Sequence, residues 1–124
     1  MRRLLVLMSA VLTLAACQAP TPVTLHATTA SYIVDLDLDA ASPGARTVTI
    51  HVTGAGAEPT EVTLTTVMVH MKHPGPTVQA SRLDDGQYLA RGEFFTMLGA
   101  WHIEVRLHGP AGPEVALFEV TAVP

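Results

Sequence analysis

The chain has 124 residues, of which 48% are apolar, with seven basic and eleven acidic side chains and a formal net charge of −4. This length predicts one domain rather than two. The acidic excess argues against a nucleic-acid partner, because nucleic-acid phosphates require a basic face. It suits attraction of cations, although solubility alone explains it equally well.

The first 17 residues carry a targeting signal. Arg2 and Arg3 precede an apolar run from Leu4 to Ala16, a pattern typical of a secretory signal peptide and too short for a transmembrane helix. Leu14-Ala15-Ala16-Cys17 resembles the lipobox of bacterial lipoproteins, which implies cleavage after residue 16 and lipidation of Cys17. We therefore expect an extracytoplasmic protein held to a cell membrane by lipid, in the periplasm or on the outer cell surface.

Cys17 is the only cysteine, so the mature chain would contain no free thiol. Disulfide frameworks, thiolate zinc sites, iron–sulfur clusters and thiol nucleophiles are then excluded. A blue-copper centre is excluded as well, because it needs a cysteine beside two histidines. The mature chain would have five basic residues against eleven acidic ones, a formal charge of −6.

Residues 17–30 form the next segment, which is rich in Thr, Ala and Pro and has no clear periodicity. We interpret it as the lipidated cysteine followed by a flexible tether. Residues 31–124 are predicted to form the folded domain.

Short alternating runs bounded by turn residues follow Ser31, and none shows a helical period. Seven such runs predict an antiparallel, immunoglobulin-like or cupredoxin-like β-sandwich. They are Tyr32–Asp39, Thr47–Thr53, Val62–Lys72, Thr77–Leu83, Gln87–Thr96, Trp101–His108 and Glu114–Val123.

Three local features refine this prediction. A change of parity near Thr65-Thr66 indicates a β-bulge, and Pro74-Gly75-Pro76 is expected to end the third strand. Tyr88, which follows Asp84-Asp85-Gly86, resembles the tyrosine corner of immunoglobulin-like domains, whose hydroxyl bonds to backbone upstream.

The most informative stretch is Met68-Val69-His70-Met71-Lys72-His73, which holds two of the three methionines left after Cys17. The third, Met97, lies in a predicted turn, and His102 follows it. Thioethers and imidazoles without thiolates favour copper, as Cu(I) or Cu(II). The predicted metal ligands are Met71, His73, Met97 and His70, with Met68 and His102 as further candidates.

On a strand, Met71 and His73 share one face and Met68 and His70 the other, so the two pairs would not serve one metal. Met68 also fits the role of a flexible core filler. Of the remaining histidines, His51 is interpreted as an outward-facing strand residue without a partner, and His26 and His108 as solvated. Asp35, Asp37 and Asp39 raise the possibility of calcium, but their alternation with Leu favours a solvated strand face.

From Val62 to Val123 the chain resembles the YtkA-like (FixH-related) domains. The resemblance rests on Met68-x-His70-Met71-x-His73-Pro74-Gly75, Gly86-x-Tyr88 and Met97-x-Gly99-x-Trp101. It implies an extracytoplasmic β-sandwich associated with copper handling in oxidase assembly or copper resistance. It also implies that Met71, His73 and Met97, with His70 and Met68, are the metal-binding positions.

The expected function is therefore that of a lipid-anchored copper metallochaperone or buffer, not an enzyme. Its partners would be copper and a recipient membrane protein such as an oxidase or transporter, without nucleic acid. Because copper binds neutral imidazole, affinity is expected to fall as the pH drops through about 6.5. The alternative is a metal-free sandwich that binds a protein partner at the membrane surface.

Overall fold

The computed structural model describes residues 20–54 and 56–124, so the predicted signal peptide (1–16) and Cys17 lie outside the described residues. The fold is an all-β sandwich of two antiparallel sheets, as predicted, but with nine strands rather than seven. The strands are β1 (Val23–Thr28), β2 (Ile33–Leu38), β3 (Arg46–Thr53), β4 (Glu61–Met68), β5 (His73–Gln79), β6 (Ser81–Asp84), β7 (Gln87–Gly92), β8 (Gly99–Gly109) and β9 (Gly112–Ala122). In these ranges there is no helix with the length and apolar character needed to cross a bilayer.

The core forms between the sheets because alternate residues of most strands point inward. One sheet has the order β1-β2-β3-β7-β6 and the other β5-β4-β8-β9. In β2, for example, Val34, Leu36 and Leu38 are buried, whereas Asp37 is exposed. A period of two therefore assigns most of the core directly.

Several predicted boundaries are wrong. The predicted run Val62–Lys72 ends already at Met68, and the run Gln87–Thr96 ends at Gly92. Val23–Thr28 belong to β1 and pair with β2 along its whole length, so the folded domain begins before Ser31. Pro74-Gly75-Pro76 does not end a strand but lies within β5, at an edge of its sheet. An edge strand tolerates proline because one side of its backbone has no ladder partner.

The predicted run Thr77–Leu83 is divided between the two sheets. Its first part belongs to β5 and its second to β6, on either side of Ala80. Ala80 is buried, and its amide donates to the Val62 carbonyl at 2.8 Å. The chain changes sheets at this residue, so one predicted strand becomes two. This division and the additional β1 raise the number of strands from seven to nine.

The register of the strands defines two ends of the sandwich. We name the end at which β1 begins the entry end; it contains residues 39–45, the turn 69–72, the connection 93–98 and the C-terminal residues. The amide of Val123 donates to the Ala41 carbonyl at 2.9 Å, which joins the two sheets there. The far end contains residues 29–32, the described part of 54–60, and the turns 85–86 and 110–111.

The predicted bond from Tyr88 to upstream backbone is confirmed. Its hydroxyl lies 3.0 Å from the Pro59 carbonyl and 3.2 Å from Glu58 Oε1. Burial and the neighbouring Glu58 carboxylate raise the pKa of Tyr88 to about 12. The partner lies 29 residues upstream, on the connection between β3 and β4. The bond therefore fixes this connection to β7.

Glu58 is the centre of this far-end network. Arg82 donates to both of its carboxylate oxygens, at 3.0 and 3.1 Å, and the Gly86 amide donates at 2.9 Å. These bonds, above all those from Arg82, lower the pKa of Glu58 to about 2. The ionised carboxylate therefore holds the turn between β6 and β7 against the β3–β4 connection.

We expect Glu58→Gln to lower the free energy of unfolding near neutral pH and to reduce its acid dependence. A depressed folded-state pKa stabilises the protein above the ordinary value of 4.5, and this stabilisation is lost as the pH falls toward about 2. Denaturant unfolding across this range checks the prediction. Glu61 is an exposed carboxylate at the same end, and Glu61→Gln is the matched control. The prediction is contradicted if the free energy of unfolding depends on pH equally in the two variants.

Candidate metal centre

A cavity of about 230 Å³ opens at the entry end of the sandwich. Its lining includes Met68, Met71 and Met97, the three methionines that follow Cys17 in the sequence, together with Trp101. The other lining residues are Pro74, Gly75, Pro76 and Thr96. The strand end of β4, the start of β5 and the connection before β8 therefore meet at one place.

Met68 and Met71 reach the same cavity because the strand ends between them. Met68 is the last residue of β4 and is 8% exposed, with its Cα opposite that of Trp101. A turn over residues 69–72 then reverses the chain, and Lys72 adopts a left-handed conformation with φ 47°. Met71 is 61% exposed and lies in this turn, not on a strand. The prediction that Met68 and Met71 face opposite sides of one strand is wrong for this reason.

Trp101 holds the third methionine in place. Its indole Nε1 donates to the Met97 carbonyl at 3.0 Å, while its ring is 2% exposed. Phe95 contacts this ring edge-on, with centroids 5.9 Å apart and planes inclined by 75°. The connection is therefore fastened to the inner sheet face, and the Met97 side chain, 50% exposed, stands at the cavity mouth.

Thr66 and Gly75 support the wall of the cavity formed by β5. The register of β4 against β5 shifts between Thr65 and Val67, which confirms the predicted bulge. Thr66 is fully buried, and its hydroxyl donates to the Phe94 carbonyl at 2.7 Å. Gly75 packs so closely that a Cβ at this position would overlap Thr66 Oγ1. Glycine is thus required at this position of β5, where the strand pairs with β4 beside the bulge.

The histidines with described side chains lie outside this cavity. His70 is exposed in the turn, and His102 lies on the outer face of its sheet with Nε2 3.4 Å from Glu119 Oε1. Neither belongs to the cavity lining. The Cα of His73 is opposite that of Met68, and its side chain is outside the described part of the chain. The described side chains of the lining that suit a soft cation are therefore three thioethers and the Trp101 indole, with the Thr96 hydroxyl beside them.

Two other histidines have partners that the sequence interpretation missed. His51 Nε2 lies 2.9 Å from Asp37 Oδ2, and His26 Nδ1 contacts Asp35 Oδ1. Asp35 pairs in register with both His26 and His51, so these side chains form a row across β1, β2 and β3. Within residues 20–54 and 56–124, no group of three or more His, Cys, Asp or Glu residues is placed to hold a metal ion.

Trp101 belongs to the buried core and also lines the cavity, a position that sequence reasoning did not assign to the site. The Met97-x-Gly99-x-Trp101 spacing is the signal that could have identified it, because it brings the indole back under the connection. Gly99 has φ 122°, and a Cβ there would stand 3.5 Å from Met68 Cε. The motif thus couples the loop methionine to the strand methionine.

Comparison of the chain with models of known protein families, with curated proteins and with solved structures found no match. The resemblance to YtkA-like domains therefore stays a prediction.

Gly75→Ala is expected to destabilise the fold by about 1–3 kcal/mol, because the new Cβ meets the Thr66 hydroxyl and nearby backbone. Gly56→Ala is the matched control, since its Cβ would make only an ordinary contact, 3.6 Å from Ser31 Cβ. Denaturant unfolding of both variants measures the difference. Equal stabilities of the two variants would show that the packing of Gly75 against Thr66 is less tight than described.

Proposed function

We propose that this chain is a lipid-anchored, extracytoplasmic copper-binding protein that carries Cu(I) in the methionine cavity as a metallochaperone or buffer. The observation that carries the proposal is that Met68, Met71, Met97 and Trp101 line one cavity. These residues come from two segments of the chain, and the fold brings them together at one opening.

The donor set favours a soft, singly charged cation. Thioether sulfurs are neutral, soft ligands that suit Cu(I), whereas hard cations need clusters of oxygen ligands. No carboxylate lines the cavity among the described residues. The indole face of Trp101 adds cation–π attraction in a place that is largely shielded from water. We infer that Cu(I) and its chemical analogue Ag(I) bind in preference to Zn(II) or Ca(II).

The exposure of the ligands suits delivery or buffering of the metal. Met68 is buried, but Met71 and Met97 are 61% and 50% exposed. An incoming ligand from a partner can replace an exposed thioether before the buried one is released. In this proposal copper is the cargo that the protein carries, and it takes no part in a catalysed reaction.

The alternative function is metal-free binding of a protein partner. Exposed methionines form adaptable apolar surfaces, and Leu98, next to Met97, is equally exposed. This alternative uses the same side chains for their apolar area, so replacing methionine by leucine would preserve it. Metal binding through sulfur would not survive that exchange.

The first test is titration of the protein with Ag(I), and with Cu(I) under reducing conditions, followed by the fluorescence of Trp101, the only tryptophan. We expect quenching and a dissociation constant that rises at least about tenfold for Met71→Leu and again for Met97→Leu. Leu98→Ala, an equally exposed neighbour of Met97, is the control and should leave affinity unchanged. Unchanged affinity in the Met71→Leu/Met97→Leu double variant removes the proposal.

A second test addresses His73. A thioether takes up no proton near neutral pH, whereas imidazole does. If His73 adds to the thioethers, affinity falls as the pH drops through about 6.5, and this fall disappears in His73→Ala. His102→Ala, on the outer sheet face, should retain it. A wild-type affinity that is constant with pH would limit the ligand set to the methionines.

A further inference from the structure

The entry end carries most of the apolar surface that the fold leaves exposed. The described residues include nine large apolar side chains that are exposed. Two of the nine, Ile33 and Leu83, lie toward the far end, and Val115 and Leu117 lie on β9. The other five surround the cavity or the end of β9: Val69, Met71, Met97, Leu98 and Val123.

A second apolar feature lies at the same end. A groove of about 610 Å³ is lined by residues that include Pro20, Val23, Ala41, Val120 and Val123. Pro20 is the first described residue, so the chain enters the sandwich along this groove. The groove and the methionine cavity therefore lie at the same end of the domain. The groove is next to β1 and β9, and the cavity is next to β4 and β8.

The predicted anchor is close to this surface. Cys17 precedes Pro20 by three residues, which span about 11 Å at most. Trp101 and Gly109 are eight residues apart on β8, a distance of about 26 Å at about 3.3 Å per residue. A lipid at Cys17 therefore keeps the entry end near the bilayer, and the tether is too short to let the domain stand on its far end.

The distribution of charge agrees with this orientation. Carboxylates outnumber basic side chains at the far end, where Glu58, Glu61, Asp84, Asp85 and Glu114 face Arg82 and Arg106. At the entry end the charges are closer to balance, with Arg46, Lys72 and Arg91 against Asp37, Asp39, Glu93 and Glu119. An anionic lipid surface repels the far end more strongly than the entry end.

We infer that the entry end of the sandwich rests on the bilayer surface, with the methionine cavity opening at the level of the lipid headgroups. This inference depends on the lipid anchor of the proposed function and adds an orientation to it. Exposed apolar side chains around a short lipid tether give the second attachment that a stable membrane contact needs. A cation leaving the cavity then meets a membrane-embedded recipient and not a soluble one.

The experiment uses the chain from Cys17 onward, which contains both sheets in full. Its single thiol is coupled to maleimide lipid in phosphatidylcholine vesicles containing phosphatidylglycerol and a dansyl headgroup lipid. Energy transfer from Trp101 to dansyl reports the height of the entry end above the lipid. We expect strong transfer from Trp101 and at least several-fold weaker transfer from the Trp101→Phe/Ala111→Trp variant, whose donor is at the far end. Equal transfer, or stronger transfer from the far end, overturns the inference.

A second pair of variants keeps Trp101 in place and tests the apolar surface. Leu98→Ser/Val123→Ser should lower transfer, whereas Val115→Ser/Leu117→Ser, of similar exposure on β9, should not. Equal effects of the two pairs also overturn the inference, as would an unmodified Cys17 in protein extracted from membranes. Titration with Ag(I) uses the uncoupled chain with Cys17 blocked by alkylation, so that no thiolate competes with the thioethers. It is scored separately, so loss of metal binding with retained orientation removes only the copper proposal.

Discussion

The hydrogen bond from the Trp101 indole to the Met97 carbonyl is the interaction on which the cavity depends. It ties the connection between β7 and β8 to the inner face of a sheet, at the position where Trp101 lies opposite Met68. Trp101 therefore lies opposite the strand methionine and also binds the backbone of the loop methionine. The cavity depends on the β4–β8 register, which places Met68 opposite Trp101. The turn that carries Met71 and the connection that carries Met97 complete its lining.

The two ends of the sandwich are built from different chemistry. The far end is held by charged hydrogen bonds around Glu58 and by Glu114, whose carboxylate accepts from Ser31 and Thr29. Burial opposes ionisation of Glu114, yet these bonds outweigh it and lower its pKa. Among the side chains that the structure describes, no such network surrounds the cavity, whose lining is mostly sulfur and hydrocarbon. The exposed methionines, Met71 and Met97, therefore lie at the opposite end of the sandwich from the charged network around Glu58.

Much of the fold could be predicted because alternation directly encodes which side chains face the core. The interpretation identified β2, β3, β4, β7, β8 and β9, the bulge near Thr66 and the bond from Tyr88. It failed for β1, whose Thr-rich composition resembles a tether until β2 supplies its hydrogen-bond partner. It failed also for Pro74-Gly75-Pro76, because an edge strand accepts residues that normally end one. His51 and Asp37 met diagonally across strands, a contact that depends on register.

The sequence by itself determined the class of fold, the kinds of donor atom and the absence of a thiol after Cys17, since these depend on composition and on a period of two. It placed Met68 and Met71 on opposite faces because it assumed a continuous strand. Only the tertiary structure decided that the strand ends at Met68 and that Met97, from a separate connection, joins the same cavity. Convergence depends on which strands pair and in what register, and that is decided by packing across the whole sandwich.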